Sequence, residues 1–181
     1  LVRELASAGH DLLAVFVEPK TFALPVEPAL HAHTLRMRRA EMEVFGDWPI
    51  MEAPVCAVRP GEISMFPLAP ALASLADQVV VFSASWIRPP LIDVLVAKGA
   101  LNLHAGIAPA YRGSGCNFWA EYDGRPEFVG AQVQRLSADL DGGAILAEVR
   151  PPLDFERDPF IRGMEAVRLG IEAMVQQVEK P

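Results

Sequence analysis

The chain has no apolar run approaching the ~20 residues that a membrane-spanning helix requires, and no signal-peptide pattern opens it. The expectation is a cytoplasmic protein with no membrane partner. Cysteine is nearly missing too: Cys56 and Cys116 stand alone, with no CxxC and no histidine at ligand spacing. Two ordinary reduced thiols are therefore expected, not a disulfide framework or a zinc site. The His31-x-His33 pair has no further ligands nearby, and no metal is expected. Positive charge is in deficit, with 16 Lys and Arg against 23 Asp and Glu, a net −7. That balance argues against a general nucleic-acid binder. The one basic cluster, Arg36, Arg38 and Arg39, is interleaved with apolar residues at helical spacing and reads as a solvated helix face. No GxGxxG follows a strand, which leaves a dinucleotide oxidoreductase only as a fold-level alternative.

Half of the 181 residues are apolar, enough for one domain with a sizeable core. Residues 1–8 carry a helical stripe stopped by Gly9, and 12–17 form an apolar run suited to a buried strand. Residues 21–28 read as loop. Residues 31–45 read as a helix with Leu35, Met42 and Phe45 inward, and 53–58 as a short strand. A helix over 67–76 precedes the clearest buried strand, 78–83. A short helix at 91–97 and a strand at 99–104 come next, then a helix at 116–122 and a turn at 123–126. Residues 128–136 alternate as a strand, 137–143 form a polar loop, and 144–150 form a last strand. A long amphipathic helix, interrupted by Gly163 and Gly170, spans 158–178. This alternation predicts an α/β fold: a Rossmann-like open, mostly parallel sheet flanked by helices. Ligands of such sheets lie beyond the C-terminal strand ends. The loops there are 83–90, 104–115 and 137–143.

Two of these loops carry groups suited to chemistry. Asn102 and His104, two apart on a strand, project from the same side of the chain. Asp139 and Asp141 lie in a loop after a strand, and Gly142-Gly143 lets the backbone bend close to a ligand. A carboxylate beside an imidazole favours the protonated ring, and an amide donor suits an oxyanion formed in a transition state. Asn, His and Asp together are equipped for acyl transfer without a covalent intermediate.

Asn102-Leu103-His104, Pro109, Tyr111-Arg112-Gly113 and Asp141-Gly142-Gly143 resemble the pattern of the 10-formyltetrahydrofolate-dependent formyltransferases. That group includes glycinamide ribonucleotide, methionyl-tRNA and sugar N-formyltransferases. The resemblance is specific over residues 79–146 and looser elsewhere. It implies a catalytic triad of Asn102, His104 and Asp141, with 10-formyltetrahydrofolate as formyl donor and co-substrate. It also implies a pterin slot lined by Ser85, Trp86, Ile87 and Arg88 on one side and by Leu136 and Asp139 on the other. Tyr111, Arg112 and Gly113 would lie against the acceptor.

Three departures shape the expectation. The family's N-terminal strand, which sits mid-sheet, has no counterpart, so the chain reads as one catalytic domain, residues 1–181, incomplete at its start. About ten or more residues are expected before Leu1 in the natural protein. Ala105 stands where the purine and tRNA enzymes commonly have proline, and Asn117-Phe118-Trp119 follows the glycine turn. Both features look closer to formyltransferases of sugars or other small amines. The C-terminal tRNA-binding domain has no counterpart either. A small amine, such as an amino sugar, is the expected acceptor. A 10-formyltetrahydrofolate hydrolase and a non-catalytic folate-binding module are the alternatives.

Overall fold

In the computed structural model, which describes residues 1–18, 28–46 and 53–179, helices and strands alternate along the chain. After α1 (Val2–Ser7) come β1 (Val15–Val17), α2 (Pro28–Phe45) and β2 (Val55–Ala57). A 3-10 turn at Glu62–Met65 leads into α3 (Ala69–Leu75), β3 (Val80–Phe82), α4 (Leu91–Lys98) and β4 (Leu101–His104). The chain ends with α5 (Cys116–Tyr122), a 3-10 turn at Pro126–Phe128, β5 (Ala131–Arg135), β6 (Ile145–Val149) and α6 (Pro159–Val178). Of the loop expected at 21–28, residues 21–27 lie outside the described residues.

The parallel part of the fold consists of β1 beside β2 and β3 beside β4. β5 and β6 then extend the sheet antiparallel. The connection from β4 runs through α5 and the 3-10 turn at Pro126–Phe128 and brings β5 in antiparallel beside β4. Among the described residues β1–β2 and β3–β4–β5–β6 are separate hydrogen-bonded sheets. Side chains link the two: Phe16 of β1 packs with Val79 and Val81 around the cluster of Ala69, Ala73, Leu91, Leu95 and Ala100.

The main core lies on the other face of the larger sheet. Leu101 and Leu103 of β4, with Ala131 and Val133 of β5, pack against Ile171, Ala173 and Met174 of α6. Gly170 does not interrupt α6, which runs unbroken from Pro159 to Val178. The glycine lets the helix sit close to the sheet: an added Cβ would lie 2.6 Å from the Ala131 Cβ and 2.9 Å from Leu103 Cδ1. At Gly163 the nearest neighbour, the Asn117 Cβ, would be 3.7 Å away. Gly170→Ala is therefore expected to lower stability by about 1–3 kcal/mol through overpacking. Gly163→Ala should be neutral or raise stability by up to ~1 kcal/mol through helix propensity. Denaturant titration of the two variants checks the contrast.

The inward face of α2 differs from the expected one. Thr34 and Ala40 are buried, whereas Leu35 and Met42 are exposed and Phe45 is partly buried against the main core. α2 packs on α6, and the side it turns there is centred away from its largest apolar residues. A buried ion pair ties α6 to α5: Arg162, 3 % exposed, contacts Glu121 at 2.6 Å and also donates to the Asp154 carbonyl.

Candidate functional site

β4 has one apolar and one polar face. Leu101 and Leu103 face the core, so Asn102 and His104 face the other way. In the antiparallel register with β5, Asn102 stands opposite Gln134 and His104 opposite Gln132. Four polar side chains thus share one face at the C-terminal end of β4. His104, Gln132 and Gln134 are buried, at 4 %, 1 % and 1 % exposed.

Asp141 meets them from the loop after β5. Its Oδ1 accepts from Asn102 Nδ2 at 3.2 Å. Its Oδ2 accepts from the Gly113 backbone N–H at 2.8 Å and lies 3.3 Å from His104 Nδ1. One carboxylate therefore gathers the amide, the imidazole and the glycine of Tyr111-Arg112-Gly113. The other ring nitrogen, His104 Nε2, is 3.0 Å from the Tyr111 carbonyl oxygen. Both neighbours are oxygens that can only accept, the carboxylate at ion-pair distance and the carbonyl at hydrogen-bond distance. Asp141 takes a positive φ of 44°, and the loop reaches it through Gly143, where an added Cβ would lie 1.7 Å from the Arg135 carbonyl oxygen.

Beside this hub is a cleft of about 150 Å³ lined by Asn102, Gln134, Asp141 and the loops at 84–87 and 136–143. Of the residues expected to form a pterin slot, Ser85, Trp86, Ile87, Leu136 and Asp139 line it. Trp86 is 56 % exposed. Arg88 is not in the lining. Its backbone N–H donates to Ser64 Oγ at 2.9 Å, and its side chain is exposed. Of the residues expected at the acceptor, Gly113 and Tyr111 turn backbone groups to the hub. The Tyr111 hydroxyl donates to Asp123 at 2.9 Å, and its ring packs near Phe128. Arg112 is exposed.

Cys116, behind the loop, donates weakly to the Gly113 carbonyl at 3.4 Å. Burial, and then the Asp141 charge, push its thiol up to about 11. At pH 8 it is un-ionised, so iodoacetamide should leave it unmodified in the native protein and label it after unfolding; mass spectrometry reads the difference. His33 packs edge-on against Phe118 and Phe160, with centroids at 5.2 and 5.0 Å. Arg36 pairs with Asp158 at 3.0 Å. No group of three or more His, Cys, Asp or Glu among the described residues is placed to hold a metal, and no helix among them is long and apolar enough to cross a membrane.

Sequence reasoning missed Glu18, Gln132, Gln134 and Glu148. Glu18 accepts from the backbone N–H of Gly61 at 2.7 Å and of Ser85 at 2.8 Å, tying the end of β1 to the cleft loop. Gln132 forms four hydrogen bonds: its Oε1 accepts from Ala108 N–H at 2.9 Å and from Gln134 Nε2 at 3.0 Å. Its Nε2 donates to the Ala108 carbonyl at 3.2 Å and to Glu148 at 2.8 Å. That amide donor, against a smaller opposing effect of burial and with help from Arg150, holds the Glu148 carboxyl below its ordinary value. Two glutamines at i and i+2 on an otherwise apolar strand were the available signal.

No family model matches the chain. A methionyl-tRNA formyltransferase of Synechococcus sp. (strain JA-3-3Ab) is 31 % identical over 67 % of this chain and 38 % of its own length. The chain spans about half or less of the first curated relatives it matches. Among solved structures, the phosphoribosylglycinamide formyltransferase of Streptococcus pneumoniae TIGR4 superposes with a TM-score of 0.64 at 14 % identity, covering 98 % of this chain and 91 % of that one. The formyltransferase PseJ of Anoxybacillus kamchatkensis, solved with UDP-4,6-dideoxy-4-formamido-L-AltNAc and tetrahydrofolate, gives 0.54 at 16 % identity over 90 % of this chain and 72 % of that one. The architecture is thus the α/β fold of these structures, with the cleft beside the end of β4. Over the matched residues the chain is similar in sequence to methionyl-tRNA formyltransferase, and its fold is that of the solved formyltransferases.

Proposed function

We propose that the chain transfers the formyl group of 10-formyltetrahydrofolate to the amine of a small acceptor, with an amino sugar as the leading acceptor class. The observation that carries this reading is the single Asp141 carboxylate that, together with Asn102, lines the cleft and also meets His104 and the Gly113 N–H. An amine nitrogen attacks the formyl carbon, forming a new C–N bond. Asn102 has one Nδ2 proton on Asp141 and a second left for the developing oxyanion. The His104 ring lies beside the same carboxylate, and Asp141 orients it. Collapse breaks the bond to N10, and the amine's proton passes to N10 through Asp141 and water. The slot between residues 84–87 and 136–143 takes the flat pterin, with the Trp86 ring beside it.

Asn102→Ala is expected to lower turnover by ~10²–10³, the usual loss for one oxyanion donor, with little change in donor affinity. The reading is tested by supplying 10-formyltetrahydrofolate to the protein with and without a panel of amines that includes amino sugars and methionyl-tRNA. Amine-dependent release of tetrahydrofolate is the expected result. Amine-independent formate release would replace transfer with hydrolysis, and no turnover with folate still bound would make the chain a binding module.

A further inference from the structure

We propose that Gln132 is a positioning residue for His104: its side-chain amide fixes the backbone of Ala108, and through that turn the Tyr111 carbonyl that meets the ring. The placement is a property of the fold; its consequence for turnover rests on the formyl-transfer reading above.

His104 ends β4 with Nδ1 3.3 Å from Asp141 and Nε2 3.0 Å from the Tyr111 carbonyl. Asn102 and Gly113 hold the first of these partners. The second lies in a loop outside any helix or strand. There the Tyr111 N–H donates to the Ile107 carbonyl at 2.9 Å, closing a turn over 107–111. Inside that turn one side chain takes both backbone groups of Ala108. The Ala108 N–H donates to Gln132 Oε1 at 2.9 Å, and the Ala108 carbonyl accepts from Gln132 Nε2 at 3.2 Å. Two directional bonds from one amide set the orientation of the turn as well as its distance from β5.

Gln132 itself cannot turn away. It is 1 % exposed and stands opposite His104 in the β4–β5 pairing and opposite Glu148 in the β5–β6 pairing. Its oxygen also accepts from Gln134 Nε2 at 3.0 Å, and its NH₂ also donates to Glu148 at 2.8 Å. Arg150 holds that carboxylate in turn, at 2.7 and 3.0 Å. Rotating the Gln132 amide by half a turn would set its NH₂ against the Ala108 N–H and its oxygen against two acceptors, so one orientation is satisfiable. The turn also lies close to the ring: a Cβ on Gly106 would be 2.7 Å from His104 Nε2. A shift at Ala108 therefore reaches His104, and a loosely held catalytic group loses rate.

The test uses Gln132→Met, similar in length and volume, in the full chain labelled with ¹⁵N-histidine. The chain has four histidines, and the His104 resonances are assigned by their loss in His104→Gln. The His104 Nε2 line should move in Gln132→Met while those of His10, His31 and His33 stay. The kcat for formyl transfer should fall roughly 10–10²-fold, with the dissociation constant for tetrahydrofolate within about twofold of wild type. Should Gln132→Met not fold, Gln132→Glu combined with Glu148→Gln keeps the bond to the Ala108 N–H and a donor–acceptor pair with position 148. It gives up the bond to the Ala108 carbonyl, and the His104 line should move by less. An unmoved His104 line in a folded variant, or a rate loss matched by an equal loss of tetrahydrofolate affinity, overturns the positioning role. A wild type without turnover overturns the formyl-transfer reading alone, and the His104 line still decides the role of Gln132.

Discussion

Asp141→Asn should reduce formyl transfer by about 10³–10⁴-fold, comparable to the loss when the carboxylate of a Ser-His-Asp triad becomes an amide. The carboxylate accepts from Asn102 and Gly113 and faces His104 Nδ1. An asparagine has one acceptor oxygen in place of two, and its NH₂ must then oppose a donor. The His104 ring loses the carboxylate beside it at the same time, in a place where His104 is 4 % exposed and water cannot replace it. Initial rates at saturating donor and amine measure the effect. A loss confined to KM would contradict the role given to Asp141.

Gly143→Ala should have the second largest effect, and by a different route. Its Cβ would lie 1.7 Å from the Arg135 carbonyl oxygen, inside any van der Waals contact, and that oxygen belongs to the end of β5. The Arg135 N–H also bonds to the Ala144 carbonyl at 2.9 Å, so the two segments cannot separate without breaking the start of the β5–β6 pairing. Roughly 3 kcal/mol or more of destabilisation is expected where a backbone position cannot accept a side chain, with Asp141 displaced from Asn102 and His104. Gly142→Ala is the matched control, since its nearest neighbour is a side-chain atom, the Asp139 Cβ at 3.0 Å. Thermal unfolding of both variants separates the backbone clash from a general loss of loop flexibility.

Much of this site was legible in the sequence because its parts are local. Asn102 and His104 are two residues apart on a strand, and a period of two fixes them on one face. Asp141 sits in a glycine turn, and Tyr111-Arg112-Gly113 is a contiguous motif. What escaped were interactions made by register or by distant segments. Gln132 and Gln134 become partners of His104 and Asn102 only because β5 runs antiparallel to β4, and the alternation of residues 128–136 does not carry the sense of pairing. Glu18 reaches Ser85 across the break between the two sheets, a contact that no local pattern encodes. Gly170 shows the same limit from the other side. In a helical pattern it suggests an interruption, and only the proximity of Ala131 and Leu103 reveals it as a packing position.

The most direct test of the account follows the formyl carbon itself. With donor labelled with ¹³C at the formyl group and an amine panel present, NMR of the reaction should show the label moving from N10 to an acceptor formamide in the wild type. It should remain on the donor in Asp141→Asn. Label appearing as free formate, or moving equally fast in the variant, would contradict the proposed transfer through Asn102, His104 and Asp141.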